Sequence, residues 1–108
     1  MQIKQNHPVY RDGILEYGDV TAIYDSSRKK IGENFMFIES LLFEKMSKRE
    51  EDYTLATSLG KRLDLKVKVP FRELETDKKI RLNNLIYDIY KIDDDDFNTY
   101  LYLEAVKK

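Results

Sequence analysis

Cysteine and tryptophan are absent from this chain of 108 residues, and histidine occurs once. Without cysteine there is no disulfide framework, no thiolate metal site and no cysteine nucleophile. His7 has no second histidine with which to share a metal, and beside Pro8 it has no framed base role, so it reads as a surface residue. The four glycines, Gly13, Gly18, Gly32 and Gly60, fall in no spacing that resembles a phosphate-binding loop. An excess of one charge is missing too: 19 Lys and Arg stand against 20 Asp and Glu, for a net charge of -1. No long-range field therefore draws nucleic acid in, and any such contact must be local. No apolar run approaches the ~20 residues of a membrane span, and Met1 to Tyr10 lacks the apolar stretch of a signal peptide. The expectation is a protein neither exported nor embedded, assembled in a reducing cytoplasm with no cofactor.

What is present is a heavily charged chain, 36% Asp, Glu, Lys and Arg, whose large side chains are 8 Tyr and 5 Phe. One domain is expected at this length, with residues 1–13 a flexible arm and residues 14–108 a single barrel-like domain. In the arm, Pro8 and Asp12-Gly13 interrupt any period. Residues 14–24 are β-branched and aromatic, and the alternation falters at Gly18-Asp19, where a bulge or bend is expected. Residues 25–34 (DSSRKKIGEN) read as an exposed loop: Asp25, Ser26, Ser27, Arg28, Lys29, Lys30, Ile31, Gly32, Glu33 and Asn34. Residues 35–46 are apolar on both parities until Glu44, as in a strand covered on two sides.

The period then changes. Ser47 and Glu50 have the spacing of a capping box, acidic residues fill the first turn, and Gly60 stands where a left-handed C-cap belongs, predicting a helix of about three turns. Tyr53, Leu55, Ala56 and Leu59 would form its apolar stripe. Residues 62–69 alternate cleanly, with Leu63, Leu65, Val67 and Val69 toward a core and Arg62, Asp64, Lys66 and Lys68 toward water, and Pro70 ends the ladder. Asn83-Asn84 tolerates the positive φ angles of a tight hairpin turn, and the last three strands read as a meander. The whole predicts a mainly β fold, a small barrel or sandwich with one helix packed across it.

No catalytic constellation emerges. Asp93 to Asp96 lacks the interleaved ligands, glycine and distal Glu of a calcium loop and reads as a solvated turn. Ser26, Ser27, Ser47 and Ser58 sit in no strained elbow. Arg28, Lys29 and Lys30 would form a basic patch only if Lys45, Lys48 and Arg49 converge on them. Tyr87, Tyr90, Tyr100 and Tyr102 are a candidate interface set, with base stacking the lesser alternative beside so acidic a turn.

Four stretches carry a resemblance: DGILEYG, KKIGENF, LLFEKMSKREEDYTLATSLGKRLDLKVKVPF and IRLNNLIYDIYKIDDDDFNTYLYLEAV. Their telling portions are S-x-R-x-x-D-Y-x-x-A at Ser47, Arg49, Asp52, Tyr53 and Ala56, K-V-K-x-P at residues 66–70, and N-x-x-Y-D-I-x-x-I-D at residues 84–93. From about Asp12 to Val106 the chain resembles the head-tail joining proteins of siphophages and prophages, also called head closure or stopper proteins. The resemblance implies a small β-barrel or sandwich with an added helix, no enzyme activity, and a homo-oligomeric ring in the virion. That ring would lie between the portal-side adaptor and a tail-side protein, near packaged DNA. It also implies a loop that obstructs the DNA channel, for which residues 25–34 are the candidate. A tail-completion or terminator subunit and a small OB-like nucleic-acid binder are the alternatives.

Overall fold

The computed structural model describes residues 10–106; most of the expected arm, residues 1–9, lies outside them. Six strands and one helix follow in the order β1 (Gly13–Tyr24), β2 (Lys30–Lys45), α1 (Glu50–Ser58), β3 (Leu65–Pro70), β4 (Lys79–Leu82), β5 (Leu85–Asp94) and β6 (Asn98–Ala105). The strands are all antiparallel and join in the ring β1-β2-β3-β6-β5-β4, which closes where β4 meets β1. The fold is mainly β with one helix on its outside, and the last three strands form the expected meander.

The interior is built by alternation. Val67 and Val69 of β3 lie opposite Leu101 and Thr99 of β6, and all four are sealed from solvent. Leu15, Tyr17, Leu41, Phe43, Ile80, Leu82, Ile89 and Leu103 complete this core. Thr99 is the polar exception, and its hydroxyl is satisfied by the Arg72 backbone and the Asp94 carboxylate. The mixed parity of β5 has a local cause. The register against β6 jumps between Ile89 and Lys91, so Tyr90 is an inserted residue and the inward set changes from Tyr87 and Ile89 to Ile92. A bulge of this kind re-aims every side chain beyond it. Asn83 and Asn84 both have positive φ, 52° and 64°, as a two-residue type I′ hairpin requires.

The helix begins later than the Ser47 and Glu50 spacing suggests. Its N-cap is Arg49, whose amide donates to the Asp52 carboxylate at 2.9 Å, while Ser47 lies outside the helix and Glu50 is its first residue. Tertiary anchoring overrides the capping box: the amide of Met46 is tied to the Lys66 carbonyl on β3, and the Lys66 ammonium grips Asp52 at 3.0 Å. At the far end Gly60 has φ +68°, with Gly60 bonded back to Thr57 and Lys61 to Ala56, a complete Schellman termination.

Two further expectations are corrected here. The stripe of Tyr53 and Leu59 faces solvent; the buried side of α1 is Asp52 and Ala56, four residues apart. Ala56 packs with Leu63 and Tyr102, flanked by Tyr90 and Tyr100. The outer face of β3 is consequently not open to water at Lys66, because the helix covers it. Burial alone would raise the Asp52 pKa, but the Arg49 amide and the Lys66 ammonium together hold it below the usual value of 3.8.

Leu101→Ala should cost about 3 kcal/mol in chemical denaturation, whereas Leu42→Ala, on an exposed position, should change little. Lys66→Met should cost about 3 kcal/mol at pH 7 because it strands a buried carboxylate. A carboxylate whose folded pKa is depressed stabilises the fold above its unfolded pKa and loses that contribution as pH falls through the folded one. Denaturation measured across pH should therefore show the deficit of Lys66→Met intact at neutrality and shrinking as Asp52 is protonated in acid, first in the variant, where burial without the Lys66 ammonium favours the neutral carboxyl.

Candidate interaction surface on the projecting hairpin

The first two strands are longer than the ring can use. β1 has 12 residues and β2 has 16, yet β1 pairs with β4 only over Glu16–Gly18, and β2 pairs with β3 only at Glu44 and Lys45. From Asp19 outward the two strands pair, among the described residues, only with each other. They form a two-stranded ribbon of six residues on the β1 side, about 20 Å at the rise of a strand. The expected loop is thereby corrected: Lys30 to Asn34 belong to β2, and the connection is a turn from Asp25 to Lys29. The reason lies in Asp25, whose carboxylate accepts from the amides of Ser27 and Lys29 at 2.8 and 2.9 Å. Arg28 takes φ 64° to close the turn.

The ribbon leaves the ring at a second bulge. Tyr17 lies opposite Glu39 and Gly18 opposite Phe37, so Ile38 is inserted. Gly18 is required there, because a Cβ would stand 2.3 Å from the Met36 carbonyl oxygen and 2.8 Å from the Phe35 ring. The Arg81 guanidinium packs at this junction, 4.4 Å from the Phe35 ring centroid and bidentate to Glu16 at 2.8 and 3.0 Å. The hydrogen bonds to Arg81 lower the Glu16 pKa.

The strand expected to be covered on both faces is buried only at Leu41 and Phe43, and the described residues leave the rest of it open. Phe37 is 55% exposed and Ile38 50%, and Met36, Ile23 and Leu42 are open as well. At the tip Tyr24 and Ile31 are each more than 60% exposed. Beyond the short pairings with β4 and β3, no strand among the described residues pairs with the outer edges of the ribbon, and such edges present backbone donors and acceptors to which another strand can add.

The other sequence candidates are placed elsewhere. Arg28, Lys29 and Lys30 lie at the tip, with Lys30 reaching Glu33 at 3.7 Å, while Lys45 ends the same strand about 50 Å away at the strand rise. The two cation groups are not brought together. Tyr87 packs on the core, and Tyr102 is buried under the helix with the ammonium groups of Lys66 and Lys91 5.1 and 4.9 Å from its ring centroid. Tyr90 lies 6.2 Å from it, its hydroxyl buried without a partner among the described residues and its pKa raised by that burial. Tyr100 donates to Asp95. Three of the four candidate interface tyrosines thus serve the joint between helix and barrel, and the fourth serves the core.

The aspartate run, expected to be a turn throughout, is divided: Asp93 and Asp94 end β5, and Asp95 and Asp96 make the turn. Asp95 accepts from the amides of Phe97 and Asn98 and from the Tyr100 hydroxyl, which hold its pKa low. Among the described residues no group of three acidic, histidine or cysteine side chains is placed to hold a metal, and no helix is long and apolar enough to cross a membrane. No protein-family model matches the chain, and no curated protein is similar to it. The ribbon was missed in the sequence because its signal, apolar residues on both parities of β2, is the same as that of a doubly covered strand. Gly18→Ala should lower stability by about 2 kcal/mol through overpacking against the Met36 backbone, a loss visible as a lower melting temperature, whereas Gly32→Ala has open space and should be close to neutral.

Proposed function

We propose that this chain is a structural, non-catalytic subunit of a bacterial virus particle, a member of a ring that joins the DNA-filled head to the tail and helps to close the DNA channel. The observation that carries the reading is the ribbon: a small closed sheet extending one unsupported arm, with apolar side chains and open edges, is built to be completed by other molecules. The resemblance to head closure proteins over most of the chain supplies the setting, and the candidate channel loop of that resemblance falls at the ribbon and its tip. In a ring of such subunits the tip, with Arg28 and Lys29 exposed, approaches packaged DNA. The portal-side adaptor and a tail-side protein are its other partners, and its place is the virion, after assembly in the host cytoplasm. Burial of Tyr102 weighs against the OB-like alternative, which needs aromatic faces open to bases.

Particles made without this protein should accumulate as filled heads and finished tails that do not join, with heads that leak DNA, as seen by electron microscopy of lysates. Replacing residues 26–29 by a two-residue turn should leave the barrel folded, since shortened turns are tolerated, yet impair DNA retention. Infectious particles in its absence, or stable heads with no tails present, would defeat the proposal.

A further inference from the structure

Both the ribbon and the acidic turn between β5 and β6 lie at one end of the barrel. β1 rises from Gly13 to the point where it leaves the ring at Gly18, and antiparallel pairing through β4 and β5 brings Asp94 to that same end. The two features are opposites in charge and alike in apolar character. The tip offers Arg28 and Lys29 with exposed Tyr24 and Ile31. The turn offers Asp94, Asp95 and Asp96, next to Phe97, 65% exposed, and Phe71, 48% exposed, whose amide is bonded to the Phe97 carbonyl. Asp93 is engaged by Lys91 at 3.2 Å and Asp95 feels the charge of Lys68, which leaves Asp94 and Asp96 without an ion-pair partner among the described residues.

We infer that the ribbon tip of one copy docks on the Asp94–Phe97 turn and Phe71 of a second copy, cations against aspartates and Tyr24 and Ile31 against the two phenylalanines. Within one molecule the tip stands a ribbon's length, about 20 Å, beyond this end, so the contact forms between molecules. It is heterologous, joining two different surfaces, and therefore propagates from copy to copy. Because the turn lies at the barrel end and the tip stands about 20 Å beyond it, copies that keep one polarity are offset along the barrel axis as they add. Apolar contact provides the adhesion and charge selects the partner surface, so the association weakens as salt rises. The biological setting rests on the joining role proposed above; the contact itself rests on the two surfaces.

The cysteine-free chain permits a direct test in the full-length protein. Ser27→Cys and Asp96→Cys, both at exposed turn positions, are combined and the protein is oxidised across a range of concentrations and salt. A disulfide-linked ladder of dimers, trimers and larger species is expected, declining at high salt, while either single variant stops at dimers. Adding Arg28→Glu and Lys29→Glu should abolish the ladder, with an unchanged melting temperature showing that the barrel is intact. Monomer alone after oxidation, or a ladder indifferent to charge reversal, overturns the contact. Should the ladder fail while particles lacking the protein still do not join, the contact is wrong and the joining role stands; a ladder from a protein whose loss leaves particles infectious has the reverse meaning.

Discussion

Closure of the sheet through three residue pairs between β1 and β4, Glu16 with Arg81, Tyr17 with Ile80 and Gly18 with Lys79, is the constraint on which the rest of the structure depends. A ring of strands has no edge inside its own circumference, so everything within it is protected. Everything beyond Gly18 is not. Arg81 stands at this boundary, bound to Glu16 on the closing strand and stacked on Phe35 of the ribbon. The Tyr17 hydroxyl accepts from the Glu75 amide at 2.9 Å and fastens the connection that leads into β4. The ring and the arm are therefore joined at one small cluster, and that cluster decides where the barrel stops.

The helix serves a different purpose. It contributes little apolar area, and its hold on the barrel is a buried ion pair and a small aromatic cluster. A pair of this sort adds little over a well-packed apolar alternative but imposes one geometry, since either charge left alone is costly. Asp52 meets two requirements at once, completing the helix start at Arg49 and neutralising Lys66. The position of the helix is thus specified more than it is strengthened.

Legibility in the sequence followed periodicity. The alternation of β3, the Asn83-Asn84 turn, the bend at Gly18 and the terminator Gly60 were all readable, because each is a local rule with one dominant solution. The helix start was not, since Ser47-Glu50 and Arg49-Asp52 share the same spacing and only contact with Lys66 on another element separates them. Inserted residues defeated parity twice, at Tyr90 and at Ile38. The candidate surface was half visible: the cations of Arg28 and Lys29 were singled out, but an apolar strand carries no mark that says whether its cover comes from the same chain.

The narrow closing ladder also has a consequence for the order of folding. The pairing of β1 with β2 and that of β4, β5 and β6 are between neighbours in the chain, and each can form on its own quickly. The pairing of Glu16 with Arg81 spans 65 positions, and such loops must be closed before their contacts repay the lost entropy. During synthesis β1 and β2 are complete well before β4 exists, so the hairpin waits with both edges and both apolar faces bare. Docking of the meander then shelters one half of it. The other half stays in the state in which it was made, which leaves the distal ribbon as the part of the described sheet with the lowest local stability and the first part of that sheet to exchange its amide hydrogens in the isolated molecule.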